Sequence, residues 1–208
     1  MGYMRGGTIL RIDLDSGKIV KEETTGYAKH WLGGRGLNSR ILYTETGPEV
    51  DPLDPANVLI FSLGPFTGTM VPGSGRVEVA AKSPVIGIQG MGNMGGYWGP
   101  ELKYAGYDSI ILKGKAANPA YIAIQNDEVE IKDAAHLWGL DTYQTQDAIR
   151  RELGDPEIEV VCIGPAGENL IGYASIQTRM GNAAGRTGMG CVMGSKNLKA
   201  AYSVSKRD

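Results

Sequence analysis

The sequence predicts a mostly-β α+β domain with few helices. Most apolar residues lie in short alternating or continuous runs typical of strands, and only a few segments have helical spacing. Glycine occupies 31 of the 208 positions, roughly twice its usual share, without a Gly-X-Y period. These glycines therefore mark chosen backbone positions, such as turns and close approaches between chain segments. The length allows one large domain or two small ones.

The N-terminal part predicts a β-hairpin followed by a helix. Residues 8–14 alternate apolar and polar side chains, residues 15–17 are typical of a turn, and residues 18–22 return as a strand. A glycine break at residues 33–36 then precedes a helix over 37–45.

The remaining chain predicts strands that alternate with loops, three of which are rich in glycine. These three loops are expected at residues 63–75, 90–99 and 180–194. Helices are predicted over 100–105 and 142–153. Strands are predicted at residues 57–62, 76–81, 84–89, 109–112, 120–124, 129–132, 158–163, 172–177 and 200–204, the last closing the sheet.

The composition excludes several classes of protein. With 21 basic and 23 acidic residues the net charge is −2, which excludes a strongly basic nucleic-acid-coating protein. No apolar run approaches the ~18 residues that a membrane-spanning helix needs, and the N-terminus lacks the apolar core of a signal peptide. Cys162 and Cys191 can form neither a disulfide framework nor a four-cysteine site. We expect a cytoplasmic protein that binds neither membranes nor nucleic acid.

A weak internal repeat links the two halves of the chain. Leu63-Gly64-Pro65 corresponds to Ile163-Gly164-Pro165, and residues 91–96 correspond to 180–185, which places Asn93 over Asn182. Residues 102–105 and 198–201 then lead into strands. Chance similarity in a glycine-rich chain is the alternative explanation. A true repeat predicts two related binding surfaces.

The glycine segments suit a phosphorylated or heterocyclic ligand. Gly90 to Gly95 has the G-x-G-x-x-G spacing, but Gly96 to Gly99 separates it from the next helix, which argues against a nicotinamide site. Arg76 and Arg186 each adjoin a glycine segment, where a guanidinium suits a phosphate or a planar ring. The alternative is that both arginines are solvated strand ends.

The remaining reactive side chains indicate no catalytic machinery. His30 and His136 are expected to be structural, and Cys162 is expected to be an inert core thiol. Cys191 lies at a spacing from Cys162 that fits no metal motif. The residues alone therefore predict binding without a visible nucleophile, histidine pair or carboxylate pair.

Several of these segments resemble the tungsten-containing aldehyde ferredoxin oxidoreductases. Residues 91–108, 163–169 and 183–200 look like signatures of that family, and residues 31–36 are similar too. The resemblance covers essentially the whole chain and corresponds to the family's N-terminal domain. It implies one domain over residues 1–208, a two-layer β structure with internal pseudo-two-fold symmetry. Two pterin cofactors would lie on it and hold tungsten, or molybdenum, through four dithiolene sulfurs.

The resemblance also implies which residues contact the cofactor. In the family a magnesium ion bridges the two pterin phosphates, with backbone carbonyls at the positions of Asn93 and Ala183 among its ligands. Asn182 stands where some members have arginine, so a weaker phosphate contact is expected there. No catalytic residue is expected in this chain. The implied cofactor contacts are Arg76, Asn93, Gly95, Asn182, Ala183, Gly185 and Arg186.

The family's reaction is oxidation of an aldehyde to a carboxylic acid, in anaerobic metabolism, with electrons passing through an iron–sulfur cluster to ferredoxin. The cluster needs four cysteines and lies in later domains of the family, so this chain with two is expected to be inactive alone. It should need a cluster-bearing partner chain or C-terminal domains, and a homo-oligomer is an open possibility.

Two alternatives remain open from the sequence. One is a non-catalytic scaffold that binds only a partner chain, which Asn182 favours. The other is a component of an aromatic-thioester reductase of the benzoyl-CoA type, within the same family.

Overall fold

The computed structural model describes residues 6–205, and within this range twelve strands form two six-stranded sheets. The strands of the first sheet are β1 (Thr8–Asp13), β2 (Lys18–Glu23), β3 (Leu59–Leu63), β4 (Val77–Lys82), β5 (Gln89–Met94) and β6 (Tyr107–Lys113). Those of the second are β7 (Ala120–Gln125), β8 (Glu128–Asp133), β9 (Glu159–Cys162), β10 (Ile176–Thr178), β11 (Asn182–Ala184) and β12 (Leu198–Val204).

Short helices connect these strands, as the mostly-β prediction requires. None of the helices in residues 6–205 has the length and apolar character to span a bilayer. The α-helices are α1 (Thr25–Ala28), α2 (Gly34–Glu45), α3 (Trp98–Tyr104), α4 (Thr142–Leu153), α5 (Pro165–Glu168) and α6 (Met189–Ser195), with a 3₁₀ turn at Ala135–Leu137.

The two sheets have the same topology, which confirms the predicted internal repeat. The strand order is β2-β1-β6-β3-β4-β5 in one sheet and β8-β7-β12-β9-β10-β11 in the other. Each half runs through a hairpin, a twelve-residue helix, three antiparallel strands and a seven-residue helix. Its last strand returns to the middle of the sheet, parallel to its first. The prediction that residues 200–204 close the sheet is therefore wrong.

Strand pairing assigns equivalent positions in the two halves. Leu63-Gly64-Pro65 follows β3 and Ile163-Gly164-Pro165 follows β9, as the repeat predicts. The residue before each motif pairs with Glu78 of β4 in the first half and with Gln177 of β10 in the second. Glu78 and Gln177 are therefore equivalent.

The same pairing corrects the sequence alignment of the glycine segments by one residue. Asn93 of β5 faces Glu78, and Ala183 of β11 faces Gln177. Asn93 is therefore equivalent to Ala183 and not to Asn182. The sequence alignment was shifted because it matched Met91-Gly92 with Met180-Gly181, whereas equivalence depends on which residues face each other across each hairpin.

The proposed match between residues 102–105 and 198–201 is also wrong. The first segment forms the end of α3 and its C-cap, whereas the second lies within β12. The true counterpart of α3 is α6, because each is the seven-residue helix that precedes the last strand of its half.

The sheets face each other across the main core, which confirms the two-layer arrangement. This core contains side chains from both sheets together with Trp98 and Leu102 of α3 and Met189 and Met193 of α6. Helix α2 covers the outer face of the first sheet, and α4 covers that of the second. Helix α4 occupies the predicted range, and its Asp141–Gln144 capping box fixes its start.

Besides residues 172–175, which precede β10 instead of forming a strand, two glycine-containing segments depart from the prediction. Residues 84–88 form a turn instead of a strand, and β5 runs through residues 90–94, which were predicted as loop. A Cβ at Gly92 would lie 3.0 Å from the Cβ of Ala184 in β11, so the strand needs glycine to approach the other sheet. The loop predicted at 180–194 likewise contains β11 and α6.

The α6 glycines provide a test of this packing. A Cβ at Gly190 would overlap the backbone carbonyl of Ser175, whereas one at Gly181 would have nothing within 4 Å. We expect Gly190→Ala to lower the free energy of unfolding by about 2–3 kcal/mol, since overpacking against backbone cannot relax cheaply. Gly181→Ala is the matched control and should change it by less than about 0.5 kcal/mol. Urea titration checks both; equal losses would contradict the packing described here.

Candidate functional site

The candidate site lies where the edge strands of the two sheets meet. Strand β5 is the last strand of one sheet and β11 the last of the other, and the two strands contact each other. This contact brings Asn93 and Gly95 close to Asn182, about ninety positions away in sequence. A Cβ at Gly95 would lie 3.6 Å from Asn182 Oδ1 and 3.9 Å from Arg76 Cζ. The predicted residues of both halves therefore share one edge.

A hydrogen-bonded chain of four side chains organises the first half of this edge. Arg76 Nη1 donates to Asn93 Oδ1 at 3.1 Å, and Asn93 Nδ2 donates to Glu78 Oε2 at 2.9 Å. Arg35 reaches the same carboxylate, with Nε and Nη2 at 3.1 and 3.0 Å from Oε1. Glu78 thus orients the Asn93 amide, which in turn orients the Arg76 guanidinium.

The four hydrogen-bonded side chains carry a net positive charge. The Glu78 side chain is only 8% exposed and forms an ion pair with Arg35, whose side chain is 65% exposed. Within residues 6–205 Arg76 has no acidic partner, and its side chain is exposed. Two guanidinium groups therefore share one carboxylate, which leaves a net positive charge for an anion.

The N-terminus of α2 adds backbone donors to the same groove. Gly33 and Gly34 have φ values of 123° and 53°, conformations that favour glycine, and no side chain caps the helix. The first N–H groups of a helix are therefore available to an anion. Gly34, Arg35, Arg76 and Asn93 line this groove, whose volume is about 260 Å³.

Arg35 and Glu78 are the site residues that sequence reasoning missed. Arg35 lies in the glycine-flanked segment that supported the family resemblance, but no role was assigned to it. Glu78 is the one acidic residue of a strand whose other residues, apart from Lys82 at its end, are apolar, which is a signal for a buried charge with a specific partner.

The second half of the edge carries less charge. Ala183 and Gly185 replace Asn93 and Gly95, and Gln177 replaces Glu78. Arg186 is exposed and has no ion pair within the described range 6–205. Arg186 is therefore the main source of positive charge on this side.

Asn182 does not occupy a place equivalent to Asn93. Its amide instead reaches toward the first half, where its Nδ2 would lie 3.3 Å from a Cβ at Gly96. Asn182 and Gly96 also line a larger groove of about 1020 Å³, with Tyr97, Tyr104 and Val71 on its walls. Glycine backbone and aromatic rings together suit a flat heterocycle.

Cys162 is buried in the core, as predicted, and the two histidines lie at the surface. His136 is exposed and lies 3.4 Å from Glu152, and His30 is exposed as well. Burial raises the pKa of the Cys162 thiol to about 12 and also raises that of Cys191, so neither forms a reactive thiolate readily. Residues 6–205 contain no group of three or more histidine, cysteine or acidic side chains that could hold a metal.

Comparison with known proteins gives close matches over the whole chain. Residues 9–203 match the family model described as aldehyde ferredoxin oxidoreductase, N-terminal domain. The chain is 49% identical over 199 residues to the tungsten-containing aldehyde ferredoxin oxidoreductase of Pyrococcus furiosus, an alignment covering 95% of this chain and 33% of that protein. It is 40% identical over 218 residues to the aliphatic sulfonate oxidoreductase, WOR-like subunit, of the same organism, covering 97% of this chain and 34% of that protein.

A solved structure has the same fold. The active site complex BamBC of benzoyl coenzyme A reductase, in complex with 1,5-dienoyl-CoA, contains a chain that superposes with a TM-score of 0.96 at 43% identity. The match covers 100% of this chain and 32% of that one. The chain therefore spans about a third of the length of the relatives that it matches.

The buried carboxylate of the site can be tested through stability. We expect Glu78→Gln to lower the free energy of unfolding by about 1–2 kcal/mol, because charge-assisted hydrogen bonds to Arg35 and Asn93 weaken, with a discount because Arg35 is largely exposed. Glu130→Gln, on an exposed carboxylate, is the control and should have almost no effect. Urea unfolding of both variants checks this, and an unchanged stability of Glu78→Gln would argue against the organising role of Glu78.

Proposed function

The chain belongs to the aldehyde ferredoxin oxidoreductase family, as an N-terminal domain, and from that premise we propose that it forms the base of a tungsten bis-pterin site. The observation that carries the proposal is the meeting of β5 and β11. It gathers Arg76 and Asn93 with Ala183 and Arg186 at one open edge. The tungsten-containing relatives make a tungsten pterin the expected cofactor, and molybdenum is the alternative metal.

The residues at this edge fit such a group. Arg35, Arg76 and the N-terminus of α2 would hold one anionic phosphate, and Arg186 would hold the other. Edge strands leave alternate backbone carbonyls unpaired, so the carbonyls of Asn93 and Ala183 are suitable ligands for a bridging magnesium ion. Gly95, Gly185 and Asn182 would contact the pterins where no larger side chain intervenes.

The chain's own contribution is binding and orientation. When bound, the tungsten pterin would supply the two-electron redox chemistry. Glu78, the acidic residue of the hydrogen-bonded chain, is engaged by Arg35 and Asn93, so it fixes donors instead of moving protons. Arg76 and Arg186 would bind the phosphates and so orient the bound cofactor.

We propose that the assembled enzyme converts an aldehyde and water to a carboxylic acid, releases two protons, and passes two electrons through an iron–sulfur cluster to ferredoxin. Since the chain spans about a third of its relatives, the cluster would come from further domains or a partner chain. The isolated domain would then be inactive.

Metal content tests the cofactor assignment. In assembled enzyme purified anaerobically from cells supplied with tungstate, Arg76→Ala combined with Arg186→Ala should lower tungsten and pterin per chain about tenfold or more, because both phosphates lose their guanidinium partner. Arg151→Ala, on an exposed arginine of α4, is the control. Retention of the cofactor by the double variant would refute the site; loss of the cofactor with an intact partner complex supports it.

A second candidate function is reduction of an aromatic thioester, which the high similarity to a benzoyl coenzyme A reductase chain favours. Both reactions would use the same base, so the substrates must decide. We expect the assembled enzyme to reduce a viologen dye with aldehydes. Dye reduction by a cyclic dienoyl-CoA, with no aldehyde activity, would replace the first candidate by the second.

A further inference from the structure

Arg179 joins the two halves of the domain at the candidate site. It lies in the turn between β10 and β11, with a φ of 50°, an uncommon conformation for a residue other than glycine. Its guanidinium carbon lies 4.2 Å from the centre of the Tyr97 ring. Tyr97 follows Gly95 and Gly96, which come directly after β5. The contact therefore spans the gap between the β4–β5 hairpin and the β10–β11 hairpin.

The second half fixes Arg179 from two sides. Its Nε donates to Glu159 Oε1 at 2.8 Å, and Nη2 contacts the same oxygen. These hydrogen bonds raise the pKa of Arg179, which stays charged. The backbone N–H of Arg179 donates to Gln146 Oε1 at 2.8 Å, and its carbonyl accepts from Gln146 Nε2 at 3.3 Å. The side chain and the backbone are therefore both held.

The carboxylate that holds Arg179 lies among buried polar groups that are only partly satisfied. The Glu159 side chain is 3% exposed, and its Oε2 has no hydrogen-bond partner among residues 6–205. The hydroxyls of Thr178 and Ser203 are also buried and unpartnered within that range. Ser203 pairs directly with Glu159, and Thr178 pairs with Val161, so all three side chains point to the same face of the sheet. Burial of such groups is costly.

The first half shows that the fold does not need these polar groups. By strand pairing, Glu159 and Ser203 correspond to Leu59 and Leu112, and Thr178 corresponds to Val79. All three counterparts are apolar and lie in the main core. The buried charge of Glu159 is therefore a feature of the second half, and its ion-pair partner Arg179 lies over the Tyr97 ring.

We propose that Arg179 is a positioning residue. It holds the β10–β11 turn against Tyr97 and so fixes the distance between the β4–β5 and β10–β11 hairpins, each of which would bear one pterin. A guanidinium suits this task because it stacks on an aromatic ring while its edge hydrogen-bonds a carboxylate. The inference rests on the proposed function, since the distance matters only if each hairpin holds one pterin of a shared metal.

The test uses the assembled enzyme and variants chosen from the first half. Arg179→Met alone leaves Glu159 charged, buried and unpaired. The double variant Glu159→Leu with Arg179→Met is therefore used as well, because it places at position 159 the leucine found at the equivalent position 59. In both variants, hydrogen exchange of amides in residues 95–97 and 179–185 should be about fivefold to tenfold faster. This factor is the one expected when the stabilisation from one cation–π contact is lost. Exchange in β12 should stay unchanged in the double variant.

Two further readouts separate a clamp from a general effect on folding. Tyr97→Phe keeps the ring and should leave amide exchange at its original rate, whereas Tyr97→Leu should speed exchange as much as the double variant does. The W(V) electron paramagnetic resonance signal should shift in Arg179→Met, in the double variant and in Tyr97→Leu. It should not shift in Arg151→Met. Unchanged exchange or an unshifted signal in the double variant would overturn the inference. Absence of both tungsten and molybdenum from the unmodified enzyme would instead overturn the proposed function, and amide exchange would still test the contact of Arg179 with Tyr97.

Discussion

The close approach of β5 and β11 is the constraint on which the site depends. The proposed site needs both sheets, because the first contributes β5 with Arg35 and Arg76 nearby and the second contributes β11 with Arg186. The approach is possible because Gly92 presents no Cβ to Ala184, and Gly90 likewise leaves room for Thr187. Glycine at these two positions therefore lets the two edge strands approach each other closely.

The two halves share a topology but differ in chemistry. The first supplies a linked set of charged side chains around Glu78, whereas the second has Gln177 and Ala183 at the equivalent places and depends on Arg186. In the core it is the second half that carries a charge, because it buries Glu159 where the first half has Leu59. The repeated fold thus provides two similar supports, of which the first carries more charge at the edge and the second holds Arg179.

Much of the fold could be predicted from the sequence, because hairpins and the capped helix α4 are specified by local patterns. Strand β5 and helix α6 could not be predicted, since glycine has low propensity for both and only contact with the other sheet stabilises them there. The family resemblance located Arg76, Asn93 and Ala183 by motif. The partnership of Arg35 with Glu78 joins residues 43 positions apart, a contact that no local pattern reveals.

The most direct test of the account is anomalous diffraction at the tungsten absorption edge, from crystals of the anaerobically assembled enzyme. The account predicts one strong peak over the edge formed by β5 and β11, on the side where Arg76 and Arg186 are exposed. A peak located away from this edge, or a well-ordered edge covered by the protein's own side chains, would contradict it.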